Sequence, residues 1–169
     1  GSQEYVRVHA DELSNIRFYL NMDSAGGQAN NRDIVLNEWP DLQPHFERWS
    51  EEMALGFAVG QSVMAHSDHF PFFKAGVPTG GIESAEKSLS GRNYGHTQWD
   101  TVDKVDLTGL REASTLAARL ALRIASEEDW PVVQRDEQTV LELLDRPEYR
   151  EEKEFRERLN AFYEKARQG

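Results

Sequence analysis

The chain has 169 residues, enough for one domain with a hydrophobic core, since a chain of this length buries roughly 70% of its unfolded surface on folding. It contains 30 Asp and Glu against 19 Lys and Arg, so its net charge of -11 makes the average surface repel phosphate backbones and excludes nucleic acid from the expected partners. The absence of cysteine excludes disulfides, thiolate zinc sites and cysteine nucleophiles, so any metal must be bound by His, Asp or Glu.

The ends and the apolar runs of the chain set two further expectations. Gly1 and Ser2 are typical of a cloning remnant, so the expected domain starts at residue 3. No apolar run approaches the roughly 20 residues that a membrane-spanning helix needs, and we expect no such helix. The sequence assigns no cellular compartment.

The first predicted element is a buried strand over residues 16–22, an apolar run that ends before the pair Gly26 and Gly27. Asp23 follows the carboxyl end of this strand. Open α/β sheets place their ligand sites at that end of their strands, so the position of Asp23 already suggests a functional role.

The next segments predict an alternation of strands and helices. Residues 34–36 predict a short strand, and Pro40 opens a helix with an apolar face that we expect to lie in the core. That face consists of Phe46, Trp49, Met53 and Phe57. A strand over 61–65, a short helix over 70–74 and a strand over 77–82 then predict a βαβ unit.

The remaining chain predicts a long loop and several helices. Residues 80–95 hold four glycines and predict a functional loop. Thr108 is the predicted N-cap of a helix that covers the sheet with an apolar stripe of Leu110, Ala113, Ala117, Leu120 and Ile124. Residues 136–167 are rich in Glu and Arg and predict helices that break near Pro147. We therefore expect an α/β domain over 3–130 and a helical extension over 131–169.

Polar side chains with possible chemistry concentrate in residues 21–24, 66–72 and 94–101. Taken singly, each has an ordinary explanation. Asp23 could form an Asx turn, and His96 could be a loop histidine. His66 and His69 flank Asp68 as a small metal site would require, but the same residues also predict a helix start, with Ser67 or Asp68 as N-cap, which is the preferred interpretation.

Taken together and in this order, the three clusters resemble the zinc aminopeptidases. The resemblance rests on Asn-Met-Asp after a strand, then Ser-Asp-His-Phe-Pro-Phe-Phe-Lys-Ala-Gly-Val-Pro, then His-Thr-Gln-Trp-Asp-Thr-Val-Asp, and it runs from Ile16 to Ile124. It implies an α/β three-layer sandwich with a mixed, mostly parallel sheet flanked by helices. This chain would be the C-terminal half of that domain, followed by the C-terminal helical extension.

The resemblance also implies the roles of individual residues. Asp23 matches the aspartate that completes one zinc ion of a pair, and His96 the histidine that completes the other. Ser67, Asp68 and His69 match a supporting motif beside the metals, in which Asp68 is expected to orient its neighbours through hydrogen bonds. Asp100 is the candidate partner for the outer ring nitrogen of the metal-binding histidine. Tyr94 is a candidate contact for the reacting carbonyl. Many family members place a tyrosine directly before the histidine, whereas Gly95 separates Tyr94 from His96 here.

The implied reaction is zinc-assisted hydrolysis of a peptide substrate, with a glutamate as the base. In the family, the first histidine ligand, the bridging aspartate and a Glu-Glu pair all precede the position of Asp23. In this sequence, no Glu-Glu pair and no match to the bridging aspartate precede Asp23. The Glu-Glu pairs that it does contain, at 51–52, 127–128 and 151–152, are expected to lie on solvated helix faces. The fragment alone is therefore expected to be inactive and to need the missing N-terminal half, and its exposed sheet edge could form a homodimer.

Two other functions remain open at this point. Transferrin-receptor-like domains resemble these enzymes but act in binding and dimerisation, and retention of both ligand positions argues against that reading. Glutaminyl-cyclase-like acyltransferases share the fold and use a single zinc ion, and the run from His96 to Thr101 favours the peptidases over them. Family members are often secreted, but this sequence shows no such signal.

Overall fold

The computed structural model describes residues 1–23, 25, 32–54, 56–84, 94, 97–131 and 134–168. The helices are α1 (Ser2–Val8), α2 (Gln43–Glu52), α3 (His69–Lys74), α4 (Leu107–Ser126), α5 (Glu137–Leu144) and α6 (Arg150–Gln168). The strands are β1 (Tyr19–Asn21), β2 (Arg32–Leu36), β3 (Val59–Gln61) and β4 (Thr79–Ser84). Short 3₁₀ turns lie at Leu13–Asn15, Pro40–Leu42, Val102–Lys104 and Pro147–Tyr149.

The four strands form one mixed sheet in the order β1-β4-β2-β3. β1 is parallel to β4 and β2 is parallel to β3, whereas β2 and β4 are antiparallel. The sheet is thus mixed and mostly parallel, as predicted. This topology places the carboxyl ends of β1 and β4 and the start of β2 at the same edge.

Helices cover both faces of the sheet, because successive side chains of a strand point to opposite faces. On one face, Ile34 and Leu36 of β2 are fully buried against α2 and α4. On the other face, Tyr19 of β1 stacks on Phe72 of α3, with ring centroids 4.3 Å apart. The predicted three-layer α/β architecture with C-terminal helices is confirmed.

The C-terminal helices pack on the sheet domain through a hydrophobic cluster shared by the segment after β3, α3, α5 and the turn that precedes α6. Its buried members are Val63, Ala65, Phe70, Phe73, Val140, Leu143, Leu144 and Tyr149. Polar contacts reinforce the junction: the Arg135 amide donates to the Gly76 carbonyl at 3.0 Å, and the Tyr149 hydroxyl donates to the Glu38 carboxylate. The predicted break near Pro147 is also confirmed.

Two predicted strand features were wrong. The strand expected over 61–65 lies at Val59–Gln61 instead, and the apolar residues Val63 and Ala65 are buried in the irregular segment that follows it. The predicted βαβ unit is absent from the described fold, because β3 and β4 are not neighbours and run in opposite directions. Apolar alternation marks burial, and an irregular segment packed on a helix can show it too.

The predicted start of α4 was also wrong. The N-cap is Asp106, whose carboxylate accepts hydrogen bonds from the amides of Thr108 and Gly109, each at 3.1 Å. The core stripe runs through Ala113, Leu116, Leu120 and Ile124, while Leu110 is exposed. Among the described residues, no helix combines the length and apolarity needed to cross a bilayer.

Candidate functional site

Asp23 lies two residues beyond the last residue of β1, at the edge where β1 and β4 both end. A turn follows the strand, closed by a hydrogen bond from the Ala25 amide to the Met22 carbonyl at 3.4 Å. The side chain of Asp23 is exposed. Strand ends of this kind hold catalytic and binding residues in α/β proteins because a rigid strand fixes the backbone while the side chain reaches out of the sheet.

A short hydrogen-bond chain orients the Asp23 carboxylate. The Ser67 hydroxyl donates to Asp23 Oδ2, and Asn21 Nδ2 donates to Ser67 Oγ at 3.0 Å. Asn21 is only 6% exposed, so its amide is fixed by packing. The side chains of Asn21 and Asp23 both reach Ser67, which lies just before the start of α3.

Asp68 and His66 are the sequence neighbours of Ser67 in this hydrogen-bonded group. Asp68 occupies the N-cap position of α3 but makes no capping hydrogen bond, and its Oδ1 instead accepts from the Ser2 hydroxyl at 2.7 Å. The His66 ring meets the edge of Phe155 of α6 at 5.1 Å between centroids. The described residues contain no group of three His, Cys, Asp or Glu that could hold a metal, so the independent site once considered around Asp68 is not formed by them.

His69 is the buried member of the supporting motif, with 2% of its surface exposed. Burial lowers the pKa of His69, while the backbone carbonyl of Met64 and the charges of Asp23 and Asp68 act in the opposite direction. Burial, followed by the same two carboxylates, raises the pKa of Tyr19. At neutral pH both side chains are therefore uncharged, and the negative charge of this corner belongs to the two aspartates.

The segment around the predicted histidine ligand is partly described. His96 itself lies outside the described residues, as does Gly95. Tyr94 is half-buried, with Lys104 Nζ 5.5 Å from its ring centroid. Asp100 is exposed, and its amide donates to the Thr97 carbonyl at 3.1 Å.

Successive turns connect this segment to α4. The Thr97 hydroxyl and amide both donate to the Tyr94 carbonyl, at 2.7 and 3.1 Å. The Val102–Lys104 turn then leads to Asp106, which caps the helix. A chain of local hydrogen bonds therefore leads from the start of this segment to a 20-residue helix packed on the sheet.

Asp23 has the chemistry that zinc requires of a ligand. Ser67 occupies Oδ2 of its carboxylate, and no described residue forms a hydrogen bond with Oδ1. Zinc accepts Asp oxygen at about 2.0–2.2 Å, and ligands held by a second hydrogen bond bind it better. The described part of the chain thus fits one ligand of a zinc site.

The sequence placed Ser67 in the supporting motif but assigned the orienting role to Asp68, and it gave Asn21 no role. The signal was present: a buried polar residue two positions before Asp23 is unusual inside an apolar strand, and buried polar groups need partners. Sequence alone does not show which side chain supplies that partner, because Ser67 is 44 residues away from Asp23 along the chain.

Comparison with known families places these residues in context. The profile of peptidase family M28 matches residues 1–121, most of the chain. This chain belongs to peptidase family M28. The membership predicted from the three clusters is therefore confirmed, and the match includes Asp23, Ser67 and His96.

Individual relatives of the family cover parts of the chain. Leupeptin-inactivating enzyme 1 of Streptomyces exfoliatus is 28% identical over 109 residues, which are 62% of this chain and 25% of that protein. A zinc aminopeptidase of Bacillus subtilis, BSAP, matches in structure with a TM-score of 0.59 and 19% identity, over 79% of this chain and 34% of BSAP.

A second, medium-resolution structure of BSAP gives a TM-score of 0.57 and 20% identity, over 80% of this chain and 35% of that one. At these identities the structural matches show a shared fold. The chain spans about a quarter to a third of the length of the relatives it matches.

Proposed function

We propose that this chain is part of the peptidase domain of a zinc-dependent aminopeptidase and supplies one ligand to each of two zinc ions, through Asp23 and His96. The observation that carries the proposal is the oriented carboxylate of Asp23 at the end of β1, inside the stretch that matches family M28. When bound, a zinc pair would activate a water molecule and polarise the scissile carbonyl of a peptide.

The residues of this chain prepare the site rather than complete it. Ser67 and Asn21 hold the Asp23 carboxylate through Oδ2, and no described residue forms a hydrogen bond with Oδ1. The neutral state of His69 keeps a competing positive charge away from the metal-binding corner. Asp68 and Asp100 remain candidate supporting residues, and Tyr94 a candidate contact for the reacting carbonyl.

The other parts of the site would come from sequence outside these 169 residues. A zinc pair needs a bridging carboxylate and a glutamate base, and the resemblance assigns both to positions ahead of Asp23. We therefore propose that the chain alone binds zinc weakly and cleaves no peptide.

The test is made on the full-length protein that carries this chain. We expect two zinc ions per chain by elemental analysis and release of N-terminal residues from peptides with a free amino group, lost on chelation. Asp23→Asn and His96→Gln should each lower kcat at least about 100-fold, because each removes a direct metal ligand. The matched controls Asp11→Asn and His9→Gln change the same residue types elsewhere and should have no effect.

Three outcomes would contradict the proposal or a part of it. A full-length protein without zinc and without hydrolysis of free-amino peptides would contradict the aminopeptidase function, and release of ammonia from glutaminyl peptides with intact peptide bonds would point to the acyltransferases instead. For the chain alone, tight zinc binding that the Asp23→Ala, His96→Ala double variant abolishes would contradict the incomplete site.

A further inference from the structure

Arg32 is a buried cation at the edge of the sheet that carries Asp23. It opens β2, and only 7% of its surface is exposed. A buried guanidinium is costly unless its N–H groups find acceptors. Arg32 Nη2 donates to two backbone carbonyls, those of Ala25 at 3.2 Å and Gly109 at 3.3 Å.

Both carbonyls belong to segments that adjoin the candidate site. Ala25 closes the turn that carries Asp23. Gly109 lies in the first turn of α4, into which the segment after His96 leads. In the sheet, Arg32 is paired with Ser84, the last residue of β4, after which the chain runs on toward His96. Arg32 therefore joins three segments: its guanidinium contacts the Asp23 turn and the start of α4, and its backbone pairs with the end of β4.

The Gly109 end of this junction is held from two sides. Its amide donates to the Asp106 carboxylate at 3.1 Å, and its carbonyl accepts from Arg32. Gly109 is buried in the first turn of α4. Glycine inside a helix weakens it by about 1 kcal/mol relative to alanine, so contacts at this position help to hold the start of the helix. The planar fork of arginine can serve two acceptors in fixed directions, which the single ammonium of lysine does less well.

We propose that Arg32 is a positioning residue that clamps the turn carrying Asp23 to the start of α4. This inference rests on the proposed zinc function. Metal ligands must be placed to within a few tenths of an ångström, so a clamp on the turn that carries Asp23 acts on metal binding even though it does not touch the metal.

The test compares Arg32→Met and Arg32→Lys with Arg17→Met in the full-length protein. Arg17 is a matched control, because its Nη1 also donates to two backbone carbonyls of or near α4, Ile124 at 2.7 Å and Ala125 at 3.0 Å, but at the far end of the helix. At a temperature where all variants are folded, we expect Arg32→Met to weaken zinc binding about 10–100-fold, the range seen for supporting residues. Arg32→Lys should restore part of this loss, and Arg17→Met should stay within about twofold of wild type.

Amide hydrogen exchange gives a readout that needs no metal. Arg32→Met should speed exchange in both residues 20–25 and residues 106–112, whereas Arg17→Met should speed it near the end of α4. Unchanged zinc affinity in Arg32→Met, or faster exchange in only one of the two segments, would overturn the clamp. A wild-type protein that binds no zinc would overturn the proposed function, and the exchange pattern would then decide on the clamp by itself.

Discussion

The direction of one hydroxyl proton decides how Asp23 presents its carboxylate. Ser67 can donate one hydrogen bond and accept others. Because Asn21 donates to its oxygen, the Ser67 proton is free to point at Asp23 Oδ2, and the buried amide of Asn21 keeps this polarity. An exposed aspartate would otherwise rotate about its side-chain bonds, and the entropy of fixing it would weaken metal binding.

Removal of this hydroxyl should therefore weaken metal binding without unfolding the protein. We expect Ser67→Ala to raise the zinc dissociation constant of the full-length protein about 10–100-fold, and Ser67→Thr to retain most of the affinity because it keeps the hydroxyl. Ser62→Ala is the matched control, since the hydrogen bonds of Ser62 in the described structure use its backbone. Equal affinities for the two alanine variants would contradict the orienting role.

The buried imidazole of His69 should make stability depend on pH. Its pKa is lowered in the folded state by burial, so the unfolded chain binds a proton first as the pH falls through about 6.5. The contribution of His69 to the free energy of unfolding is therefore fully present above that pH. Between about pH 6.5 and the lower pKa of the folded state, it falls by at most about 1.4 kcal/mol per pH unit. Urea unfolding between pH 7.5 and 5.5 measures this slope.

His69→Gln should flatten that pH dependence relative to wild type, because it removes the buried imidazole. Parallel pH profiles for wild type and His69→Gln would show that other groups cause the acid sensitivity.

At the level of elements, apolar patterns predicted where strands and helices lie better than how they pair. The apolar face of α2 marks burial correctly, whereas the apolar residues of the run before Asp23 are only half-buried and its buried member is the polar Asn21. The antiparallel pairing of β2 with β4 could not be predicted from the sequence, because side chains alternate with a period of two in parallel and antiparallel strands alike. The strand predicted over 61–65 was misplaced for a related reason: Val63 is buried in a cluster with α3 and α5 instead of in a sheet.

The candidate site was predictable to the extent that it is carried by local motifs. The order of three clusters was enough to identify the family and to select Asp23 and His96. Local motifs do not predict contacts between distant segments. Ser67 and Asp23 are 44 residues apart along the chain, and Arg32 and Gly109 are 77 residues apart. Such pairs depend on the strand order, which the sequence pattern does not specify.

The start of α4 offers a direct test of helix capping. Asp106→Ala should lower the free energy of unfolding by about 0.5–2 kcal/mol, because it leaves the amides of Thr108 and Gly109 without their acceptor. Thr108→Ala should change it by less than about 0.5 kcal/mol, because Thr108 lies inside the helix and its side chain makes no capping bond. Chemical denaturation of both variants measures the difference, and the reverse order would restore Thr108 as the cap.

At the scale of the whole molecule, the C-terminal helices share a core with the family M28 region. The buried face of α5 contacts α3 and the segment after β3, and Tyr149 reaches Glu38 beyond the end of β2. An ion pair between Arg146 and Glu38, at 3.1 Å, also joins the two parts. The helices and the sheet should therefore unfold as one cooperative unit.

Leu143 is the residue on which this cooperativity can be tested. It is 4% exposed in the shared cluster, so Leu143→Ala should cost about 2–5 kcal/mol, whereas Leu141→Ala on the same helix, 39% exposed, should cost about 0.5 kcal/mol or less. Helix content and tryptophan fluorescence should report the same lowered midpoint, because the buried tryptophans Trp39 and Trp49 lie in the sheet domain. If the extension were an independent unit beginning near residue 131, Leu143→Ala would lower the helix signal early and leave the fluorescence midpoint at its wild-type value.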